Sequence, residues 1–396
     1  MPSTTRRGFI AGSIATGATV LTGATGSAVA DGPSTTWSRT YAPEAGRTLV
    51  RDIVPTDDGF ALVGIGDGYE YRAWMGTVGP GGRSPRHHLL GTRGTTLLSG
   101  APVDGAVVAV GVTNATVDPM RESYPDPYAV RLSADGTVEW TRTYQPDHPD
   151  GRADAFVPTE FGYVIGGAAR VDGAPRPWAT AIDGNGTAGW EWTRSGDGRA
   201  GGVEAATAVG DGVVLAGSTW PDGVDDYGRS EGAWIEKLTA DGETDWAWSV
   251  DDENGDRVEA LASTGDGGVA ALGRRGFAED DRGVGWLTAL DSDGEQRWSR
   301  TYPQDAWNWH HDVARFEDGY LLLGTRKKLN GTDRGAWLTR VTDEGRVDWE
   351  YQAPAGTRGY AVHPVGDGGI LIGGDRQIED RDFPGGWLAK LGGDPA

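Results

Sequence analysis

Trp307-Asn-Trp-His-His-Asp312 gathers aromatic, imidazole and carboxylate groups into six consecutive residues. An imidazole beside a carboxylate can hold a metal ion or act as a general base near neutral pH. His310 and His311 are adjacent, so on a strand they point to opposite faces and at most one looks into a shared site. Trp307 and Trp309 offer flat faces for stacking on sugar rings, or for packing one loop onto another. Asp52, Asp154, Glu204 and Glu259 stand at positions similar to Asp312 in other segments of the chain. Clustered carboxylates bind cations, or split into an acid and a base because like charges raise a pKa. Repeated along a chain, they also serve structure by capping backbone N–H groups. Catalytic groups normally break a repeat's symmetry, which makes 307–312 the asymmetric candidate.

Weaker signals surround these. His87-His88 forms a second imidazole pair. Asp251-Asp-Glu-Asn-Gly-Asp256 resembles a calcium loop only loosely, without the spaced ligands and distal Glu, and reads as a solvated acidic turn. Asn114-Ala-Thr116, Asn185-Gly-Thr187 and Asn330-Gly-Thr332 are glycosylation sequons. No cysteine is present, which excludes disulfides and thiol chemistry.

The elements that must position these groups repeat roughly every 50 residues, a period typical of propellers. The first anchor is a turn followed by an apolar strand ending in Gly, as in Asp318-Gly-Tyr-Leu-Leu-Leu-Gly324. The second is an aromatic that opens the next strand: Trp74, Tyr128, Trp178, Trp234, Trp286, Trp337 and Trp387. The third is a hairpin turn, often Asp-Gly, and then a Trp, as in Asp293-Gly294 before Trp298. The first repeat is irregular, with Arg86 where that Trp is expected. The seventh lacks its fourth strand, but Trp37-Ser-Arg-Thr-Tyr41 near the N-terminus matches Trp298-Ser-Arg-Thr-Tyr302. The expectation is an all-β, seven-bladed β-propeller of four-stranded antiparallel blades, its last blade closed by the N-terminal strand, forming one domain over residues 31–396. The pale first strand of each repeat lines the channel. Trp140, Trp190, Trp246, Trp298 and Trp349 wedge between blades as core. Short turns share one face. The long loops 112–127, 218–233, 274–285, 303–310 and 375–386 share the other, where function usually sits.

Leu290-Asp-Ser-Asp-Gly-Glu-Gln-Arg-Trp298 resembles the tryptophan-docking motif of quinoprotein-type, pyrroloquinoline-quinone-like propeller repeats. The segment between its first Asp and the Gly is one residue shorter than usual. The run from Asp312 to Gly324 also resembles secreted bacterial and archaeal propeller repeats. A quinoprotein alcohol dehydrogenase would imply eight blades, a vicinal cysteine pair and a calcium site around the quinone. Seven repeats and no cysteine depart from that pattern, so neither quinone nor calcium is expected here.

Residues 1–30 read as a leader. Arg6-Arg7 precedes an uncharged stretch from Gly8 to Ala30 that closes on Ala28-Val29-Ala30, which resembles a cleavable twin-arginine export signal. An uncleaved anchor is the alternative. The net charge is −22, from 36 basic and 58 acidic residues, and only four of the basic ones are lysines. Such an acidic, lysine-poor surface resembles the proteins of extreme halophiles. It would repel nucleic acid, and no later segment is long and apolar enough to span a bilayer. The expected function is a secreted or cell-surface, non-catalytic propeller that binds a glycan, peptide or surface partner through its long-loop face. The alternative is an enzyme with a channel-mouth site: a glycan lyase or hydrolase, or a quinone- or metal-dependent oxidoreductase.

Overall fold

The computed structural model describes residues 29–394 apart from 43–45, 68–70, 115–124, 145–150, 195–198, 222–231, 252–254, 277–283, 303–305 and 329–333, and apart from the side chains of 251, 306–308 and 327–328. The leader through Ala28 lies outside the described residues. So do Tyr69, Tyr124, Tyr227 and Phe277, aromatics expected on the long-loop face, along with the Trp307 side chain, the Asn330 sequon and part of the acidic turn expected at 251–256.

Seven antiparallel sheets form the described structure. Their first strands are Leu49–Thr56, Thr96–Val103, Gly151–Thr159, Ala200–Val209, Arg257–Ser263, Ala306–Phe316 and Thr357–Pro364. Each packs against the first strand of the next sheet, and the seventh packs against the first. This is the closed ring of a seven-bladed β-propeller. Blade seven takes its fourth strand from Thr35–Tyr41, which pairs antiparallel with Gly385–Leu391; Trp37 lies opposite Lys390 and Tyr41 opposite Gly386. The segments near the chain's two ends are thus joined in one sheet. Blade six gains a fifth, parallel strand, Ala30–Asp31, beside Val347–Gln352. No helix occurs among the described residues.

The aromatics that open the third strands are the deepest side chains, with Trp74, Trp178, Trp234, Trp286 and Trp387 essentially without solvent contact. The fourth-strand Trps pack against the inter-blade clusters, as expected, at their margin. All five are half-buried, and four of them lie over a turn of the next blade. A methyl group on Gly186 would meet Trp140 at 2.9 Å, on Gly242 Trp190 at 2.5 Å, on Gly294 Trp246 at 2.7 Å and on Gly345 Trp298 at 2.7 Å. Indole N–H groups fasten the contact: Trp190 Nε1 donates to the Ala240 carbonyl and Trp246 Nε1 to that of Ser292, both at 2.8 Å. The Tyr four residues after the Trp completes it, since Tyr302 Oη donates to the Gly345 carbonyl and Tyr41 Oη to that of Gly82. This explains the repeated Trp-x-Arg-Thr-Tyr run. In blade one, Arg86 holds the register position, opposite Thr77. Two residues on, His88 fills the space over Gly136.

Gly294 shows why the turn needs glycine: its φ is 81°, and the Trp246 ring occupies the volume of a side chain. Gly294→Ala should lower unfolding free energy by roughly 2–4 kcal/mol, as strain and overlap add. In a Trp246→Ala background the same change should cost only about 1 kcal/mol, the backbone strain alone. Denaturant unfolding of the four proteins at fixed salt measures that coupling.

Candidate site at the channel mouth

Every first strand carries a β-bulge at one level. The register shifts at Val50/Asp52, Leu97/Ser99, Ala153/Ala155, Val203/Ala205, Val258/Ala260, His310/Asp312 and Gly359/Ala361. The residue skipped in each case is Arg51, Leu98, Asp154, Glu204, Glu259, His311 or Tyr360. A bulged residue is left out of the ladder and re-aimed, here on the innermost strand and therefore at the channel. All seven lie at or before the middle of their strands, toward the long-loop face.

The strand-ending Gly of each repeat is the partner of this bulge. Gly64, Gly111, Gly167, Gly217, Gly273, Gly324 and Gly374 each sit opposite the residue just before the skip. A Cβ on Gly374 would stand 1.8 Å from the Arg358 carbonyl oxygen, and on Gly273 1.9 Å from that of Arg257. The bulge pushes backbone against backbone, and only glycine leaves room.

The five predicted carboxylates divide between two registers. Asp52 and Asp312 come just after the skip and staple blades together. Asp312 accepts from Val313 N at 2.8 Å and, in the next blade, from Val362 N at 2.7 Å. Asp52 accepts from Ile53 N at 2.7 Å and from Gly100 N at 2.9 Å. Burial pushes Asp52 up to about 6 and Asp312 up to about 8, against the pull of those N–H groups. Asp154, Glu204 and Glu259 are bulged residues and take arginine partners instead. Asp154 pairs with Arg152. Glu204 accepts from Arg257 at 3.1 Å and from Ser218 Oγ at 2.6 Å. Glu259 pairs with Arg274 at 2.5 Å and Arg257 at 3.3 Å. Burial acts to raise the Glu259 carboxyl, but Arg274 and Arg257 hold it below its ordinary range.

The histidine pair separates as its spacing requires. His310 is buried against Trp337 and fills the space a side chain on Gly285 would need. His311 is the bulged residue, with its ring 5.1 Å from that of Tyr360. Burial lowers it to about 3, with Arg274 and Arg51 opposing its charge, so it is neutral at pH 7. Trp307 and Trp309 were expected in a loop; the strand instead begins at Ala306 and includes both. Trp309 is half-buried, with the Arg334 guanidinium 5.6 Å from its ring centroid. Trp220, also expected in a loop, ends a strand and is buried.

Arg51, Leu98 and Tyr360 were missed. The Arg51 guanidinium lies 4.7 Å from the Tyr360 ring centroid. Around the ring, an acidic arc with arginine partners (Asp154, Glu204, Glu259) gives way to His311, Tyr360 and Arg51. No group of three or more metal-ligating side chains occurs among the described residues. A cleft of about 150 Å³ opens between blades five and six near the short turns, but its charged groups are already matched, Arg297 with Asp266 and the adjoining Arg315 with Asp343.

No protein-family model matches the chain, and no curated protein matches it. Among solved structures it is similar to a protein of unknown function from Dyadobacter fermentans, at TM-score 0.53 and 8% identity, covering 92% of this chain and 100% of that one. Lower likenesses include the extracellular domains 1–2 of Drosophila Semaphorin 1b (TM-score 0.48, 8% identity, 91% and 87% covered) and a subtype N10 neuraminidase-like protein of A/little yellow-shouldered bat/Guatemala/060/2010 (0.46, 10%, 89% and 98%). At such identities the likeness is one of fold.

Because Asp312 holds its proton more tightly folded than at its ordinary 3.8, the stability it contributes is complete below about pH 4 and is lost as pH rises through about 8. Asp312→Asn removes that titration and also unpairs one N–H contact. The stability gap between native protein and variant should therefore narrow between pH 5 and pH 8.5, by on the order of 1–3 kcal/mol. Urea unfolding at constant ionic strength reads it; a gap that widens with pH contradicts the assignment.

Proposed function

We propose that this protein is an exported, non-catalytic binding propeller, secreted or held at the cell surface, that engages a glycan, peptide or surface partner where its long-loop face meets the channel mouth. The observation that carries this reading is the asymmetry of the bulge ring. The scaffold repeats one backbone geometry seven times, yet the seven side chains differ in charge, size and polarity. A purely structural device would be filled alike in each blade. The twin-arginine leader supplies the export route, and the acidic surface suits a salty exterior.

A channel-mouth enzyme is the second reading. It is favoured by the neutral imidazole of His311, which sits between Glu259 and Tyr360 on neighbouring blades and offers a proton acceptor beside a phenol.

A glycan and peptide array probed with the purified protein in molar salt separates the readings. Binding without product, weakened at least about tenfold in His311→Ala, is the expected result. Turnover of a bound glycan that His311→Ala abolishes would establish the enzyme, and binding unaffected by His311→Ala would remove the channel mouth from either reading.

A further inference from the structure

The channel mouth is not evenly charged. On its acidic arc the carboxylates of Asp154, Glu204 and Glu259 face the guanidinia of Arg152, Arg257 and Arg274, so charges match three to three. At the seam of blades seven and one the balance differs. Arg47, Arg51 and Arg358 surround a single buried carboxylate, Asp375. Arg358 takes that carboxylate in a two-pronged pair, Nε to Oδ1 at 2.8 Å and an Nη to Oδ2 at 2.5 Å. Among the described residues, neither Arg47 nor Arg51 makes an ion pair, and the Nε of each is buried without a hydrogen-bond acceptor. Three cations against one anion leave an excess of two positive charges, in a chain whose net charge is −22.

Burial lowers the Arg51 guanidinium below its ordinary range, with Tyr360 and Asp375 pulling it back up and Arg358 and Arg47 pushing it further down. Half-buried cations that lack their own counter-ion are costly unless something supplies one. A guanidinium fork matches a planar carboxylate. The rest of the mouth limits what can carry that carboxylate. Tyr360 and His311, both half-buried with rings 5.1 Å apart, form an aromatic wall beside the guanidinia against which an apolar sugar face can lie.

We infer that Arg47 and Arg51 form an anion subsite, beside Tyr360 and His311, that receives the carboxylate of an acidic sugar in a glycan chain. This rests on the binding reading above and specifies its ligand class.

The test is calorimetric titration of the purified full chain with D-glucuronate, D-glucose, inorganic phosphate, and a tetra-alanine peptide with a free or an amidated C-terminus. The expected result is binding of glucuronate at least about tenfold tighter than glucose, the worth of a charge-assisted hydrogen-bond pair. Arg47→Gln and Arg51→Gln should each erase that preference, and Arg51→Lys should restore part of it. Thermal unfolding identifies any variant that has lost its fold, and Arg47, outside the inner strand, keeps the test alive should Arg51→Gln fail. Equal binding of glucose and glucuronate, still lost in His311→Ala, would overturn the anion subsite and leave the binding reading standing. Tighter binding of phosphate or of the free-carboxylate peptide would overturn the sugar assignment, as would a glucuronate preference that survives both glutamine variants. No binding of any probe would overturn it as well.

Discussion

The ring stands on one contact made between neighbouring blades: an outer-strand aromatic laid on a turn glycine of the next blade. Trp246 on Gly294 is the type, with its N–H fixed by the Ser292 carbonyl. The inter-blade cores themselves combine the buried third-strand Trps with small and branched side chains such as Ala270, Leu272, Leu287 and Leu322. The indole contact sets the angle between blades, and repeated around the ring it brings Thr35–Tyr41 to the edge of Gly385–Leu391. Closure then ties segments near both ends of the chain into one sheet, so no blade can fray alone.

The channel is governed by a second close approach. The bulge in each first strand drives a carbonyl into the space of a missing side chain on the second strand, as Arg358 does at Gly374. One extra residue per blade is thereby turned out of the ladder and toward the axis. Seven copies of that geometry make a ring of seven side chains whose backbone positions are fixed and whose chemistry is not. The scaffold thus separates positioning from identity, which is how a repeat can carry an asymmetric site.

Much of this was legible in the sequence, and most of what was not traces to the bulge. Trp234, Trp286 and Trp337 opening third strands, and Trp37 matching Trp298, give blade count and closure, because aromatic burial and turn chemistry leave strong local marks. The site was only half legible. Period-two reading has no place for an extra residue, so Asp52 and Asp312 fell into line with Asp154, Glu204 and Glu259 although they belong one position later. The same slip hid Arg51 and Tyr360, which carry no repeated residue type. The signal that marks the bulge was present in Gly64 through Gly374, but a strand-ending glycine reads first as a turn. Trp307 and Trp309 looked like loop residues because the first strand of blade six begins with aromatic and polar residues and runs eleven residues from Ala306 to Phe316.

Charge gives the channel its direction. A surface this acidic pushes anions away at long range, though salt shortens that reach to ~3 Å at molar strength. Short-range recognition of an anion then requires cations that are screened neither by solvent nor by their own partners. Arg51 meets both conditions, since it is drawn in by the bulge and lies against Tyr360, while Asp375 is already held by Arg358. On the opposite arc the same bulge presents Glu259, whose charge Arg274 and Arg257 balance. A neutral arc of hydrogen-bond acceptors facing a cationic arc with aromatic walls is an arrangement that distinguishes the two ends of a ligand. That polarity arises from which residue occupies each bulge, and no change of fold is needed to alter it.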